Sequence, residues 1–136
     1  MKAIIYTKYG PPEVAQLMEV AKPLPKENEI LVKVYASTVN RTDCGFRSAE
    51  YFISRFWTGI FRPKYQILGC EFAGVIEEIG QGVTTFQIGD HVFGYNDKTC
   101  GGHSEYLTIA ETDAVTCMPE GFTFDEAAAL TEGAHY

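Results

Sequence analysis

The chain has 136 residues, of which 46% are hydrophobic and 21% charged, and its formal net charge is −7. This composition is typical of one globular domain, and the acidic balance argues against binding to a nucleic-acid backbone. The basic residues are scattered, so no patch for anionic membranes stands out, and the N-terminus has no signal-peptide or membrane-span pattern. We therefore expect neither nucleic-acid nor membrane partners.

The four cysteines, Cys44, Cys70, Cys100 and Cys117, are far apart and form no C-x-x-C pair. Structural zinc sites usually draw their ligands from closely spaced cysteines, so this spacing predicts no such site. Thiols stay reduced in the cytosol, and the sequence therefore favours a cytoplasmic location.

Short hydrophobic runs separated by glycine and proline predict a β-rich domain. Alternation of polar and apolar residues, or β-branched content, marks the strands, and the pattern is clearest in the third of them. The predicted strands are Lys2–Tyr6, Val14–Val20, Glu29–Ser37, Phe72–Ile76, His91–Phe93 and Ser104–Ile109. Such a succession is typical of a sheet that curls on itself.

The segment Ile67–Gly94 carries six of the thirteen glycines of the chain. Within it, Gly80 and Gly82 resemble the start of a dinucleotide-binding G-x-G-x-x-G motif. Thr85 stands at the third glycine position, however, and no helix pattern follows it. A pyrophosphate site needs a helix N-terminus behind the glycines, so the pair is interpreted as a β-turn.

The histidines and the paired carboxylates form no familiar catalytic motif. His91, His103 and His135 share no spacing typical of metal ligands, and packed or surface roles are expected for them. Glu77 and Glu78 are adjacent in a predicted strand, so their side chains should lie on opposite faces. They are therefore not expected to act as an acid–base pair.

Polar residues cluster at the end of the third strand, in Val39–Gly45. Side chains at a strand end reach a cleft readily, which makes Asn40 and Thr42 candidates for a binding site. The same residue types also cap helices at strand-to-helix junctions. Both interpretations remain open from the residues alone.

Residues 46–65 interleave aromatic and basic side chains. This pattern suits an apolar lid over a small-molecule cleft or an interface with another chain better than it suits nucleic acid. Further along, Thr123-Phe124-Asp125-Glu126 is a capping box that predicts a helix start. Barely two helical turns follow without a stop signal, so we expect the chain to be a fragment of a longer protein.

Five motifs occur in order along the chain. They are Tyr9-Gly10-Pro11-Pro12-Glu13-Val14, Glu29-Ile30-Leu31-Val32-Lys33-Val34, Gly69-x-Glu71-Phe72-Ala73-Gly74-Val75, Gly89-Asp90-x-Val92-Phe93-Gly94 and Gly102-x-x-Glu105-Tyr106. Together they resemble the N-terminal half of the medium-chain dehydrogenase/reductase family, in its zinc-free quinone oxidoreductase-like branch.

The resemblance implies a mainly β (α+β) fold, a GroES-like partly open β-barrel with short helices. It divides the chain into a catalytic barrel at 1–123 and, at 124–136, the start of an interdomain helix. In the family a Rossmann domain that binds NAD(P) follows, and this sequence does not contain it.

The resemblance also implies that no zinc is bound. Zinc-dependent relatives have a cysteine where Asn40 stands, before Arg41-Thr42-Asp43, and a histidine where Cys70 stands, between Gly69 and Glu71. A catalytic zinc needs about three protein ligands around an open position, and the Cys70 thiol and Glu71 carboxylate, adjacent on a strand, make a poor site of that kind.

The implied function is hydride transfer from NADP or NAD cofactors to a quinone or conjugated carbonyl. Asn40, Thr42 and Tyr51 are the implied catalytic residues, and Asn40, Arg41 and Tyr136 are the implied cofactor contacts. The full-length protein is expected to be a homodimer, and the fragment alone to be inactive. A zinc-type alcohol dehydrogenase with degenerate ligands and a non-catalytic barrel module remain as alternatives.

Overall fold

The computed structural model describes residues 1–49, 56 and 59–132. Within them the elements are β1 (Lys2–Ile5), β2 (Gln16–Glu19), β3 (Glu29–Ser37), α1 (Arg41–Ser48), β4 (Glu71–Ile79), β5 (His91–Tyr95), β6 (Tyr106–Ala110), β7 (Val115–Cys117) and α2 (Phe124–Ala128), with a 3-10 turn at Pro12–Val14. The mainly β, α+β prediction is confirmed. No helix in this part of the chain is long and apolar enough to cross a membrane.

A five-stranded antiparallel sheet, in the order β6-β3-β4-β5-β7, forms the body of the domain. β1 and β2 pair in a separate two-stranded sheet. Single bridges from Ala3 to Ser104 and from Ile5 to Ile67 join the small sheet to the rest. The described strands do not close into a barrel, which agrees with the partly open architecture that was expected.

The core of the domain lies on the inner face of the large sheet. It consists of buried apolar side chains contributed mostly by β3 to β6: Ile30, Val32, Phe72, Ile76, Phe86, Val92, Leu107 and Ile109. Full burial of one such side chain contributes about 1.5–3 kcal/mol to folding. This packing fixes β3 and β4 side by side, and the site described below lies where β3 ends and β4 begins.

Glu77 is an extra residue in β4. The register with β3 pairs Leu31 with Glu78 but Val32 with Ile76, which leaves Glu77 as a β-bulge. Lys22 Nζ contacts Glu77 Oε2 at 3.0 Å and Glu78 Oε1 at 3.1 Å. The prediction that these carboxylates lie on opposite faces is therefore wrong, because the bulge interrupts the alternation. They form a surface ion pair with one lysine.

Gly80 and Gly82 form the turn that follows β4, and no helix begins there. The Gly80 amide donates to the Glu29 carbonyl and the Gly82 amide to the Glu27 carbonyl, both at 2.8 Å. A Cβ at Gly80 would meet the Lys26 carbonyl oxygen at 2.0 Å. Glycine is needed here for close backbone approach, and the β-turn interpretation is confirmed.

The predicted capping box starts α2. The Thr123 side chain accepts from the Glu126 amide, and Glu126 Oε2 accepts from the Thr123 amide at 2.9 Å. The helix ends at Ala128. The predicted start of an interdomain helix at 124–136 extends beyond residue 132, outside the described part of the chain. The chain turns after Ala128 because Thr131 and the next residue are held by hydrogen bonds at the start of β4.

Candidate active site

Asn40 lies at the junction of β3 and α1 and caps the helix. Its side-chain Oδ1 accepts from the Asp43 backbone amide at 3.0 Å, and the Asn40 backbone amide donates to Asp43 Oδ2 at 3.1 Å. This reciprocal capping box satisfies donors that the first helical turn would otherwise leave unpaired. The capping interpretation of Asn40 is confirmed, and the Nδ2 atom of the same side chain makes a further hydrogen bond.

Asp43 ties α1 to the loop before β4. Its side chain is 2% exposed, and Oδ1 accepts from the Gly69 amide at 2.9 Å. His103 Nε2 lies 3.9 Å from Asp43 Oδ2 and 2.7 Å from the Thr38 carbonyl oxygen. The packed role expected for His103 is thereby confirmed.

Gly69 allows the segment before β4 to pass directly over a neighbouring loop. It adopts a φ of +95°, and a Cβ there would lie 2.4 Å from the His103 amide nitrogen. The Gly102 amide donates to the Gly69 carbonyl at 2.9 Å. These contacts set the position of Glu71, two residues further on.

Glu71 is the centre of the site, with a side chain that is 3% exposed. Thr38 Oγ1 and Asn40 Nδ2 donate to Oε2, the latter at 3.3 Å. Thr131 Oγ1 and the Glu132 amide donate to Oε1 at 2.6 and 2.5 Å. One carboxylate thus connects the end of β3, the start of α1 and the segment after α2.

The charge state of Glu71 follows from these contacts. Burial raises its pKa, but the hydrogen bonds from Thr131, Thr38, the Glu132 amide and Asn40 more than offset this and leave the pKa below its ordinary value. Glu71 is therefore a carboxylate at neutral pH. It acts as an acceptor that fixes its neighbours in place.

Thr42 belongs to a second polar cluster beside Glu71. Its Oγ1 donates to Glu132 Oε1 at 2.8 Å. Glu132 is 7% exposed, and its Oε2 has no hydrogen-bond partner among the described residues. Burial raises the pKa of Tyr95 to about 12, against a smaller opposing effect of its hydrogen bond with Thr42, so the phenol keeps its proton.

Residues 26–132 match the family model of the alcohol dehydrogenase GroES-like domain. The chain belongs to this family. The chain is 37% identical over 131 residues to the quinone oxidoreductase of Sus scrofa, a match that covers 96% of the chain. This confirms the predicted resemblance to the quinone oxidoreductase-like branch of the medium-chain dehydrogenases/reductases. The chain spans 37% of the length of that relative.

Solved structures agree with this assignment. The quinone oxidoreductase of Coxiella burnetii superposes with a TM-score of 0.82 at 31% identity, covering 94% of this chain and 40% of that one. The Escherichia coli quinone oxidoreductase complexed with NADPH superposes with a TM-score of 0.77 at 30% identity, covering 95% and 36%.

The donor set of the described residues does not fit a catalytic zinc. Cys70 is fully buried, with its Sγ 3.7 Å from Cys100 Sγ. The contact with Cys100, and then burial, raise the pKa of the Cys70 thiol. Across residues 1–49, 56 and 59–132, no three His, Cys, Asp or Glu side chains are grouped so as to hold a metal ion.

The structure brings together only some of the predicted site residues. Asn40 and Thr42 lie in adjoining polar clusters, whereas Arg41, the first residue of α1, has an exposed side chain. Tyr51 and Tyr136 lie outside the described residues. Eight of the twenty residues of the predicted lid at 46–65, namely 50–55, 57 and 58, are also outside them, whereas Phe61 is described and 93% exposed.

The sequence analysis missed Thr38, Glu71, Thr131 and Glu132 as site residues. A signal existed for Glu71, because this acidic residue follows a glycine-containing segment and directly precedes the apolar run Phe72–Ile76. A buried carboxylate needs hydrogen-bond donors around it, and that requirement indicates that Glu71 lies in a polar cluster. The other three are ordinary residues in sequence, and only the folded chain brings them to Glu71.

Proposed function

We propose that the whole protein is an NAD(P)H-dependent oxidoreductase that reduces a quinone or a conjugated carbonyl compound without zinc. In this proposal the GroES-like domain supplies the substrate side of the active site. The similarity to quinone oxidoreductases, one of them solved with NADPH, supports the substrate class and the cofactor. The absence of a suitable metal-ligand group among the described residues supports the zinc-free form.

The observation that carries the proposal is the state of the Asn40 side chain. Its Oδ1 is occupied by the Asp43 amide, and one hydrogen of its amide points to Glu71 Oε2. The second hydrogen of that amide has no acceptor among the described residues. Asn40 therefore presents one N–H donor that is oriented from two sides by the protein.

A donor held in this way suits a substrate oxygen that gains negative charge during reduction. Preorganised donors stabilise developing charge because they need no reorientation at the moment of reaction. Asn40 would bind and orient the carbonyl oxygen, and Glu71 would hold Asn40 in position. When bound, the nicotinamide supplies the hydride. Asn40 and Arg41 are the described residues that we propose to lie beside it.

The test uses the full-length protein and follows NADPH and NADH oxidation with 1,4-benzoquinone and with an α,β-unsaturated aldehyde. Asn40→Ser keeps a capping oxygen for α1 but lacks the amide donor. We expect kcat to fall about 10²–10³-fold, the loss typical of one oxyanion donor. An unchanged kcat would remove Asn40 from the mechanism. Failure of the wild type with every acceptor would overturn the proposed function, and stoichiometric zinc in active protein would overturn its zinc-free form.

We further propose that the 136-residue chain alone is inactive, because the described part contains no dinucleotide fingerprint on a helix N-terminus. Micromolar binding of NADPH by this chain would contradict that statement. The family resemblance leads us to propose a cytoplasmic homodimer as the full-length form. Four cysteines without a disulfide support the reducing compartment.

A further inference from the structure

A cavity of about 200 Å³ lies between β1, the 3-10 turn and α1. Its walls are mostly apolar, and the side chains that contribute most of this character are Ile4, Pro12, Val39 and Leu68. Asn40, Thr42 and Glu71 do not line it, so the cavity is separate from the site described above. An apolar cavity of about 150 Å³ in another protein binds benzene. The cavity beside α1 is therefore large enough for one six-membered ring.

Tyr6 provides one unsatisfied polar group in the wall of this cavity. The residue is 2% exposed, and its hydroxyl makes no hydrogen bond with any described residue. The Tyr6 oxygen is nevertheless not sealed in the protein as Glu132 Oε2 is, which indicates that the hydroxyl opens onto the cavity. A buried polar group without a partner lowers stability, so an oxygen atom of a ligand would be favoured beside Tyr6.

The hydroxyl of Tyr6 can both donate and accept. Burial raises the pKa of Tyr6, so the side chain keeps its proton at neutral pH. A protonated tyrosine has one O–H donor and also acceptor capacity on the same oxygen. The partner that suits it best is a hydroxyl group, which has the same two capacities.

The other polar side chains of the wall already have partners. Asp43, Arg47 and His103 are each hydrogen-bonded to backbone groups of other segments. Asp43 and Arg47 have opposite charges, so this wall favours neither an anion nor a cation. A charged molecule would also lose its hydration on entering an apolar cavity, which is costly. The ligand that fits is therefore neutral, with one ring and one hydroxyl group.

We propose that this cavity is a second binding site, and that its ligand is a neutral monocyclic phenol. The ring packs against the apolar wall, and the hydroxyl group pairs with that of Tyr6. The proposal does not rest on the proposed function, because Asn40, Arg41 and Glu71 do not line the cavity. Cys44 does line the cavity and is exposed, so a bound ring shields its thiol from reagents.

The first test measures binding of phenol and of toluene to the full-length protein by ligand-detected NMR titration. Toluene has the ring without the hydroxyl group. Tyr6→Phe should weaken phenol binding at least about threefold, as expected for loss of one hydrogen bond, and should leave toluene binding unchanged. Tyr35→Phe is the control, because Tyr35 is 55% exposed and does not line the cavity. Equal phenol affinity in wild type and Tyr6→Phe, or no binding of phenol, would overturn the proposal.

The second test uses the wild-type protein and therefore survives poor folding of Tyr6→Phe. Brief alkylation with iodoacetamide, followed by peptide mass spectrometry, compares the two exposed thiols of Cys44 and Cys117 in one sample. Phenol at about ten times its Kd should slow the alkylation of Cys44 at least about fivefold, because most molecules then carry the ligand. Cys117 does not line the cavity and should keep its rate. No slowing, or equal slowing of both thiols, would refute binding in this cavity.

Asn40→Ser distinguishes the cavity from the proposed substrate site. Phenol affinity and the protection of Cys44 should be unchanged in this variant, because Asn40 does not line the cavity and serine retains a capping oxygen. Loss of both in Asn40→Ser would place phenol at the substrate site. That result would overturn the second site and leave the proposed function standing.

Discussion

The Thr131 hydroxyl donates to Glu71 Oε1 at 2.6 Å, across a sequence separation of 60 residues. This bond attaches the segment after α2 to the first residue of β4. Because Glu71 also accepts from Thr38 and Asn40, one buried carboxylate joins the β3–α1 junction, the start of β4 and the segment after α2. Substitution of Glu71 therefore tests how much these hydrogen bonds stabilise the site.

Glu71→Gln should destabilise the domain. The glutamine side chain has no charge, and its NH2 group replaces one of the two acceptor oxygens. That new donor would face either the Thr38 and Asn40 donors or the Thr131 donor. Hydrogen bonds to charged groups contribute about 1.5–3 kcal/mol each, so we expect a loss of about 2–4 kcal/mol in the free energy of unfolding. Glu78→Gln is the control, because loss of the exposed ion pair between Lys22 and Glu78 should lower the free energy of unfolding by less than about 1 kcal/mol. Equal effects in urea denaturation would contradict the central role of Glu71.

Acid should weaken the fold through Glu71. Its pKa is lower in the folded domain than its ordinary value of about 4.3, so its stabilising effect is complete above that value. The effect is lost as the pH falls from about 4.3 through the lower folded-state pKa. Urea denaturation of wild type and Glu71→Gln across this range should show the difference between them shrinking toward low pH. A difference that stays constant with pH would refute the assignment.

Gly69 and Gly89 offer a matched pair for measuring close backbone packing. Both have a φ of +95°, but a Cβ at Gly69 would lie 2.4 Å from the His103 amide, whereas nothing lies within 4 Å of one at Gly89. Gly89→Ala should cost about 1–2 kcal/mol for the left-handed backbone. Gly69→Ala should cost at least about 1–3 kcal/mol more, because the loop must shift. Thermal or chemical unfolding measures both, and similar losses would argue against the tight crossing.

The four thiols should react in two classes. Cys44 and Cys117 are exposed, while Cys70 and Cys100 are buried against each other. A thiol reagent such as DTNB should label two cysteines rapidly in the native protein and the other two only after unfolding, because the reagent cannot reach buried thiols. The Cys44→Ser/Cys117→Ser variant should show no rapid phase. A rapid phase in that variant would show that the Cys70–Cys100 contact opens readily.

The local features of the fold were predictable, and the tertiary ones were not. β3 and α2 follow from alternation and a capping box, which are properties of consecutive residues. β7 was missed because a strand of three residues is too short to show a period. The bulge at Glu77 was missed because register depends on the partner strand. Within the site, Asn40 and Thr42 carried a sequence signal, whereas Thr131 and Glu132 join them only through contacts with distant residues.

The separations in sequence around Glu71 have a consequence for synthesis on the ribosome. Its partners lie 33 and 31 residues before it and 60 and 61 residues after it. Contacts between distant residues form late, since the intervening chain must close as a loop first. A nascent chain that has released β4 but not Thr131 holds Glu71 with only half of its donors. The domain should therefore acquire protease resistance in a single late step, when residue 132 has cleared the exit tunnel, rather than gradually as each strand emerges.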